Sequence, residues 1–330
     1  MSTTKNIFIT GSTGFLGGYV VDEFRRAGYE IVAAGRKAGR LKELEAGHVH
    51  TVALNLNQLD QYHEPLETVV HVAALSSPWG AWNDFLKHNV EGTQRVIDMC
   101  LTNGAKRLVY VSSPSIYSGK GHRLNIYEAD FDPANHLNHY IRSKIMAEQL
   151  VARAQEQGLE TVIIRPRGLF GIGDTSIFPR LLQANDRLGI PLFNGGDNLI
   201  DITCVENAAL GLRLAAESPV ASGRIYNLTN GEPRRFKHVL DAVFAGISQT
   251  PRYRAMNASA MYSLAAISEA IYRFLPLRRE PLLTRYTIAT LAFSQTLDIS
   301  AAQRDLGYRP TITLDEGIAR YAASYRQSHS

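Results

Sequence analysis

The chain is poor in cysteine and tryptophan, and neither sign of charge dominates. Its 330 residues hold two cysteines and two tryptophans. Cys100 and Cys204 lie far apart and form no CxxC pair. That excludes a disulfide-stapled scaffold and a zinc ribbon, and it suits a cytoplasmic protein. No apolar run reaches the ~18 residues that a membrane-spanning helix requires. The first apolar stretch is broken by glycines, so it reads as a strand and loop and not as a signal peptide. Net charge is +4, from 35 basic and 31 acidic residues. The segment 252–286 alone carries Arg252, Arg254, Arg273, Arg278, Arg279 and Arg285 against Glu269 and Glu280, which accounts for that whole excess. With no basic stripe, RNP motif or zinc-finger spacing, a nucleic-acid partner is excluded. At 45% apolar and 20% charged the composition is that of an ordinary globular protein. Its length suggests about two domains.

Short runs rich in Val, Ile and Leu alternate with amphipathic stretches through the first half. The runs are 6–10, 30–34, 50–54, 68–72, 107–112 and 161–165. This is the rhythm of βαβ units and of strands buried on both faces. Helices are expected over 84–103 and 140–157. After Pro166 the glycines at 171, 173, 189, 195 and 196 break the rhythm. One further strand is expected at 223–228, followed by a mostly helical tail. The fold expected is therefore α/β: a Rossmann-type doubly wound parallel sheet with a smaller, mostly helical C-terminal substrate domain. Residues 1–167 with about 200–230 would form the first domain, and about 168–199 with 231–330 the second.

Between the first strand and the first helix stands Gly11-Ser-Thr-Gly14-Phe-Leu-Gly17. Gly11 permits a tight turn, Gly14 a close approach of a pyrophosphate to the backbone, and Gly17 a close helix packing. The helix N-terminus then offers free N–H groups and a positive dipole end to phosphate. A dinucleotide carrying an unsubstituted ribose calls for an acid at the end of the second strand. Glu30 sits at the wrong end of that strand, and the right end reads Ala34-Gly35-Arg36-Lys37, with Arg40 nearby. A small residue followed by a guanidinium makes room for a 2′-phosphate and holds it. NADP(H) is favoured, and NAD(H) stays open.

Tyr140 and Lys144 stand four residues apart, on one face of a helix. A neighbouring cation favours phenolate, so such a tyrosine can exchange a proton with a carbonyl near neutral pH. The spacing alone is ordinary; its company matters. Ser112-Ser113 ends a buried strand, which places hydroxyls at the carboxyl edge where open α/β sheets bind ligands.

Several motifs occur in order: Gly11-Ser-Thr-Gly14-Phe-Leu-Gly17, Val70-His-Val-Ala73-Ala74, Asn89-Val-Glu-Gly92-Thr93, Ser112-Ser113, Tyr140-xxx-Lys144 and Arg165-Pro166. The set resembles the extended short-chain dehydrogenase/reductases, the NAD-dependent epimerase/dehydratase family, over nearly the whole chain. The resemblance implies Tyr140 as acid/base, Lys144 binding the nicotinamide ribose and depressing the Tyr140 pKa, and Ser113 hydrogen-bonded to the reacting oxygen. It implies cofactor contacts from Gly11, Ser12, Thr13, Gly14, Phe15, Leu16, Gly35, Arg36, Lys37, Ala73, Ala74 and Pro166. Asn89 would support the site. Asn55-Leu56 stands where the family more often has Asp and an apolar residue beside adenine. Asn198-Leu-Ile-Asp201-Ile-Thr203 resembles the 3β-hydroxysteroid dehydrogenase-like branch. Arg165-Pro-Arg167-Gly-Leu-Phe-Gly171 resembles bacterial 2-alkyl-3-oxoalkanoate reductases. The activity implied is ketone–alcohol interconversion on a bulky, largely apolar small molecule, in a homodimer formed through the helices at 84–103 and 140–157. A nucleotide-sugar epimerase or dehydratase shares the catalytic set and is the alternative. A non-catalytic NADP(H)-binding regulator would need the glycine loop but not Ser113, Tyr140 and Lys144 together.

For the substrate side, Trp79 and Trp82 follow the fourth strand and are candidates for an apolar wall. Arg167 is a candidate partner for a substrate anion, or a structural ion pair. His136 and His139 have no third ligand nearby, so no metal is expected. Met261, Leu264, Ile267, Ile271 and Phe274 recur at helical spacing over 258–275, with Glu269 and Arg273 as an i,i+4 pair off that stripe and Pro276 as the stop. Three readings stay open for this helix: core, mobile lid, or peripheral contact with a membrane surface.

Overall fold

In the computed structural model of the chain, the residues described are 6–275, 281 and 283–329. Seven parallel strands form the main sheet: β1 (Asn6–Thr10), β2 (Glu30–Ala34), β3 (His50–Val52), β4 (Thr68–His71), β5 (Arg107–Val111), β6 (Glu160–Pro166) and β7 (Arg224–Leu228). Their spatial order is β7-β6-β5-β4-β1-β2-β3. That is a doubly wound sheet, with the order reversing between β1 and β4.

Strand periodicity divides the core between the two faces. Ile7 and Ile9 of β1 pack on one face with Val20 and Phe24 of α1 (Phe15–Arg26) and with Leu212 of the helix Val205–Glu217. Phe8 points to the other face, among Val96 and Ile97 of α2 (Gly92–Thr102) and Ala147 and Val151 of α3 (His139–Glu156). Each such fully buried aliphatic or aromatic side chain contributes roughly 1.5–3 kcal/mol relative to exposure.

The expected helix over 84–103 is three pieces: an α-turn at Trp82–Phe85, a π-helical stretch at Leu86–Glu91, and α2. The π stretch carries Asn89, whose buried side chain is used elsewhere, as described below. The expected helical tail also holds strands that the sequence reading does not contain. Arg234–Arg235, Leu199–Ile200, Gln295–Leu297 and Arg123–Ile126 form a second, four-stranded sheet, and Tyr253–Met256 pairs with Ile190–Phe193. Two- to four-residue strands like these are too short to show a period in sequence.

Helix α4 (Ala258–Phe274) begins at Asn257, whose side chain accepts from the Ala260 N–H at 2.9 Å. Its packed face carries Ala258, Met261, Tyr262 and Ala265, against Ile288 and Ala289 of α5 (Arg285–Ala292). Leu264, Ile267 and Ile271 of the apolar stripe, for which core, lid and membrane contact stay open in the sequence, are exposed, at 54%, 59% and 48%. The core reading therefore fails for these three residues, while Met261 of the same stripe packs with Ala265 against α5. Glu269 does not pair with Arg273. It is buried, and accepts from the Arg285 backbone N–H at 2.6 Å and from the Arg285 guanidinium at 2.9 Å. Pro276, Arg278 and Arg279 lie outside the described residues, as does the side chain of Phe274.

Candidate active site

The carboxyl ends of β1 and β4 come together at the glycine loop. Gly11 has φ +71°, and a Cβ there would lie 2.8 Å from the backbone of Ala73. A Cβ on Gly17 would collide with the Gly11 carbonyl oxygen, so α1 packs directly on the turn. Gly14 is the N-cap of α1 and no side chain caps that helix end. The N–H groups of its first turn therefore remain for an anion. His71 holds the two strand ends together: its ring nitrogens bridge Thr10 Oγ1 at 2.8 Å and Thr93 Oγ1 at 3.2 Å, and Thr10 Oγ1 accepts the Ala73 N–H at 3.2 Å. Burial, with Lys144 adding to it, pushes the His71 pKa down to about 3, so the ring is a neutral brace. This cradle fits a dinucleotide, whose nicotinamide gives or takes the hydride.

At the end of β2 the Ser12 hydroxyl donates to the Ala34 carbonyl at 2.9 Å, and Gly35 leaves room for Thr13, with which a Cβ would clash. Arg36 and Lys37 are exposed beside it, and among the described residues neither forms an ion pair. Arg40 is engaged by Glu43. Asn55 is a helix cap: its Oδ1 accepts the Asn57 N–H at 2.8 Å and its amide bonds Gln58, at the start of the turn at Leu56–Gln61. Leu56 packs where a side chain on Gly92 would stand.

Asn138 caps α3 through the Ile141 N–H at 2.8 Å, which fixes Tyr140 in the first turn and Lys144 one turn on. Lys144 is buried, donates to the Val111 carbonyl at 2.7 Å, and lies 4.4 Å from the centre of the Tyr110 ring. Burial lowers its pKa to about 7, while Glu148 pulls the other way. The Tyr140 pKa is raised, chiefly by burial, with the Ser113 and Ser76 hydroxyls beside the phenol acting against that rise. The expected depression of the Tyr140 pKa by Lys144 is thus not what this geometry gives. The ammonium is turned to β5, and desolvation of the phenol outweighs it.

Ser113, not Ser112, faces the cleft. Among the described residues the buried Ser112 hydroxyl has no partner, whereas Ser113 Oγ accepts the Ser115 N–H at 3.2 Å and bonds Ser115 Oγ at 3.0 Å. Ser115 Oγ in turn meets Tyr286 Oη of α5 at 2.8 Å. Ser76, Ser115 and Tyr286 escape sequence reasoning; Tyr286 is 171 residues from the serine it bonds and belongs to no local motif.

Behind the site, Arg165 is fully buried and paired to Glu148 through two hydrogen bonds of 2.9 and 2.6 Å, with Tyr117 and the Glu128 carbonyl as further partners. Pro166 ends β6 opposite Leu228 of β7. Arg167 follows it. Trp79 meets Tyr272 of α4 edge to face at 6.3 Å, so the loop after β4 touches the C-terminal helices. Trp82 packs instead under Arg142 at 4.1 Å and beside His139, both on α3. His139 Nδ1 contacts the Gly80 carbonyl at 3.1 Å. Among the described residues there is no cluster of three His, Cys, Asp or Glu suited to a metal.

Residues 7–229 match the NAD dependent epimerase/dehydratase family. A 2-alkyl-3-oxoalkanoate reductase of Shewanella oneidensis is 32% identical over 97% of this chain and 86% of its own. A 3beta-hydroxysteroid-dehydrogenase/decarboxylase, isoform 2, of Arabidopsis thaliana is 34% identical over 86% of this chain and 53% of its own. Among solved structures, MoeE5 in complex with UDP-glucose and NAD superposes with a TM-score of 0.76 at 25% identity, covering 98% of this chain and all of that one. The chain belongs to the NAD dependent epimerase/dehydratase family and is an NAD(P)-dependent oxidoreductase of the extended short-chain dehydrogenase/reductase type.

Proposed function

We propose that this protein interconverts a ketone and a secondary alcohol on a bulky, largely apolar substrate, with NADP(H) as cofactor and Tyr140 as the proton donor and acceptor. The observation that supports this reading is Tyr140 beside the Ser113 hydroxyl, with Lys144 one helix turn on and bonded to the end of β5. Tyr140 gives its proton to the carbonyl oxygen as the carbon is reduced, and Ser113 hydrogen-bonds that oxygen. Lys144, one helix turn on from Tyr140, would hold the ribose of a bound cofactor and add positive charge to the site.

The preference for NADP(H) over NAD(H) rests on the end of β2, where Arg36 and Lys37 are exposed and Glu30 stands at the far end of the strand. Gly11 to Leu16, Gly35, Ala73, Ala74 and Pro166 would line the cofactor. Residues 1–167 with about 200–230 hold it, and 168–199 with 231–330 hold the substrate. The active unit is a cytoplasmic homodimer joined through the outer faces of α2 and α3, where Leu101 is exposed. Light scattering checks the dimer at twice the chain mass.

A nucleotide-sugar epimerase would return its cofactor unchanged at each turnover. Incubation with NADPH and either a 2-alkyl-3-oxoalkanoate or a UDP-sugar separates the two readings. Net loss of NADPH absorbance with the oxo acid is expected. Conversion of the sugar with no net change in NADPH would overturn the reductase.

A further inference from the structure

Helix α4 is apolar on both faces, and only one of them is packed. Ala258, Met261, Tyr262 and Ala265 lie against α5, while Leu264, Ile267 and Ile271 stand in solvent and Leu275 is exposed at the C-cap. With Ala260 and Ala270, these four exposed residues fall within one stripe about 140° wide at 100° per residue. The stripe holds no charge. Of the two charged residues on the helix, Glu269 is buried on Arg285 and Arg273 lies outside the stripe. Among the described residues ten large apolar side chains are exposed, and four of them share this helix. Single exposed apolar residues are ordinary, whereas a contiguous patch marks a surface that something covers.

The charge around the patch is of one sign. From 242 to 297 the sequence holds six arginines against Glu269 and Glu280. Arg254, in the strand that leads into α4, and Arg273, in its last turn, are exposed, and among the described residues neither forms an ion pair. A lid would turn its apolar stripe towards the loop after β4. Instead it is Tyr272, roughly 140° round the helix from Ile267, that meets Trp79 of that loop. A second copy of the chain is disfavoured by size and by charge. A stripe of about 25 by 10 Å is well short of the ~800 Å² per partner of a stable interface. A two-fold contact would also set each patch, with its arginines, against itself. Aliphatic side chains flanked by unpaired guanidiniums match the boundary of an anionic bilayer, where the first enter the acyl layer and the second reach phosphates.

We propose that the face of α4 formed by Leu264, Ile267, Ile271 and Leu275 rests on an anionic bilayer surface, with Arg254 and Arg273 at the lipid phosphates. The test is flotation of the full chain with vesicles of phosphatidylcholine alone and with about a third phosphatidylglycerol, in ~0.1 M salt. Wild type should partition to the anionic vesicles at least tenfold better than to the neutral ones, and high salt should erase most of that difference. Leu264→Ser, Ile267→Ser and Ile271→Ser combined should lower the partition at least tenfold with NADPH binding unchanged, which shows the variant folded. Arg254→Gln with Arg273→Gln should lower binding to the anionic vesicles about tenfold and leave the neutral ones unaffected. Failure of wild type to float with anionic vesicles, or flotation of the triple serine variant like wild type, would overturn the proposal. Two further results would overturn it in favour of another occupant. A halved mass of the triple serine variant in lipid-free light scattering would make the face a contact between copies. Hydrogen-exchange protection across 258–275 from NADP⁺ and a 2-alkyl-3-hydroxyalkanoate, without vesicles, would make the helix a lid.

Discussion

The side-chain amide of Asn89 donates to the Ser143 hydroxyl at 2.9 Å, and Ser143 donates to the Tyr140 carbonyl at 2.8 Å. The same Asn89 accepts the Leu75 N–H at 2.7 Å and donates to the Leu75 carbonyl at 3.1 Å. One buried amide thus ties the loop after β4, which carries Ala73 and Ala74, to the helix that carries Tyr140 and Lys144. Asn89 acts on the site by position.

Asn89→Leu keeps the volume and leaves the Leu75 N–H and the Ser143 hydroxyl short of partners. Stability should fall by about 2–4 kcal/mol in urea denaturation, as buried groups left unpaired imply. Affinity for NADPH should weaken as the loop loosens. A loss below about 0.5 kcal/mol would show that the loop is held by something else.

Lys144 gives a pH signature in the protein without cofactor. Its pKa is about 7 when folded, against 10.5 for the unperturbed group. Between these values the unfolded chain binds more protons, so this residue makes stability rise with pH, by at most about 1.4 kcal/mol per pH unit. The penalty for burying the charge is complete below pH 7 and is relieved as pH climbs from there. The difference in stability between wild type and Lys144→Met should therefore grow in favour of wild type from pH 7 to 10. A difference that does not change over that range would mean that the lysine keeps its ordinary affinity for the proton.

Arg36→Ala should weaken NADPH binding by an order of magnitude or so and leave NADH within twofold, because only NADPH carries the 2′-phosphate that a guanidinium holds. Fluorescence titration with both cofactors checks this. Equal losses would make Arg36 a residue of the turn alone.

On α4, Leu264→Ser and Ile267→Ser should each change stability by no more than about 0.5 kcal/mol, since both side chains are exposed. Ala265→Leu should cost about 1–3 kcal/mol, because that position is fully buried against α5. The reverse pattern would place the aliphatic stripe, not the alanine, in the core.

The glycine loop and the sheet are legible in sequence because their demands fall on residue type. Gly11 and Gly17 stand where a Cβ would strike Ala73 or the turn itself, and strands buried on both faces must be runs of aliphatic residues. The pair of Ser113 and Tyr140 is legible only through motif company. What stays hidden depends on tertiary partners. Glu269 has a plausible local partner in Arg273, yet its actual partner is Arg285, 16 residues on and brought close by the packing of α5 on α4. Leu264 and Ile267 obey helical periodicity, but periodicity identifies a face and not which face is covered. Asn55 caps the turn at Leu56–Gln61, a local use of a short polar side chain that the sequence reading does not contain.

The proposed reductase activity depends on proton transfer by Tyr140, with the hydride supplied by a bound dinucleotide. Tyr140→Phe removes one oxygen from a side chain that is 9% exposed, with little change in volume. With a 2-alkyl-3-oxoalkanoate and NADPH, kcat should fall by about 10²–10⁴-fold, with NADPH affinity retained within twofold. A Tyr140→Phe protein that consumes NADPH within tenfold of the wild-type rate would contradict it.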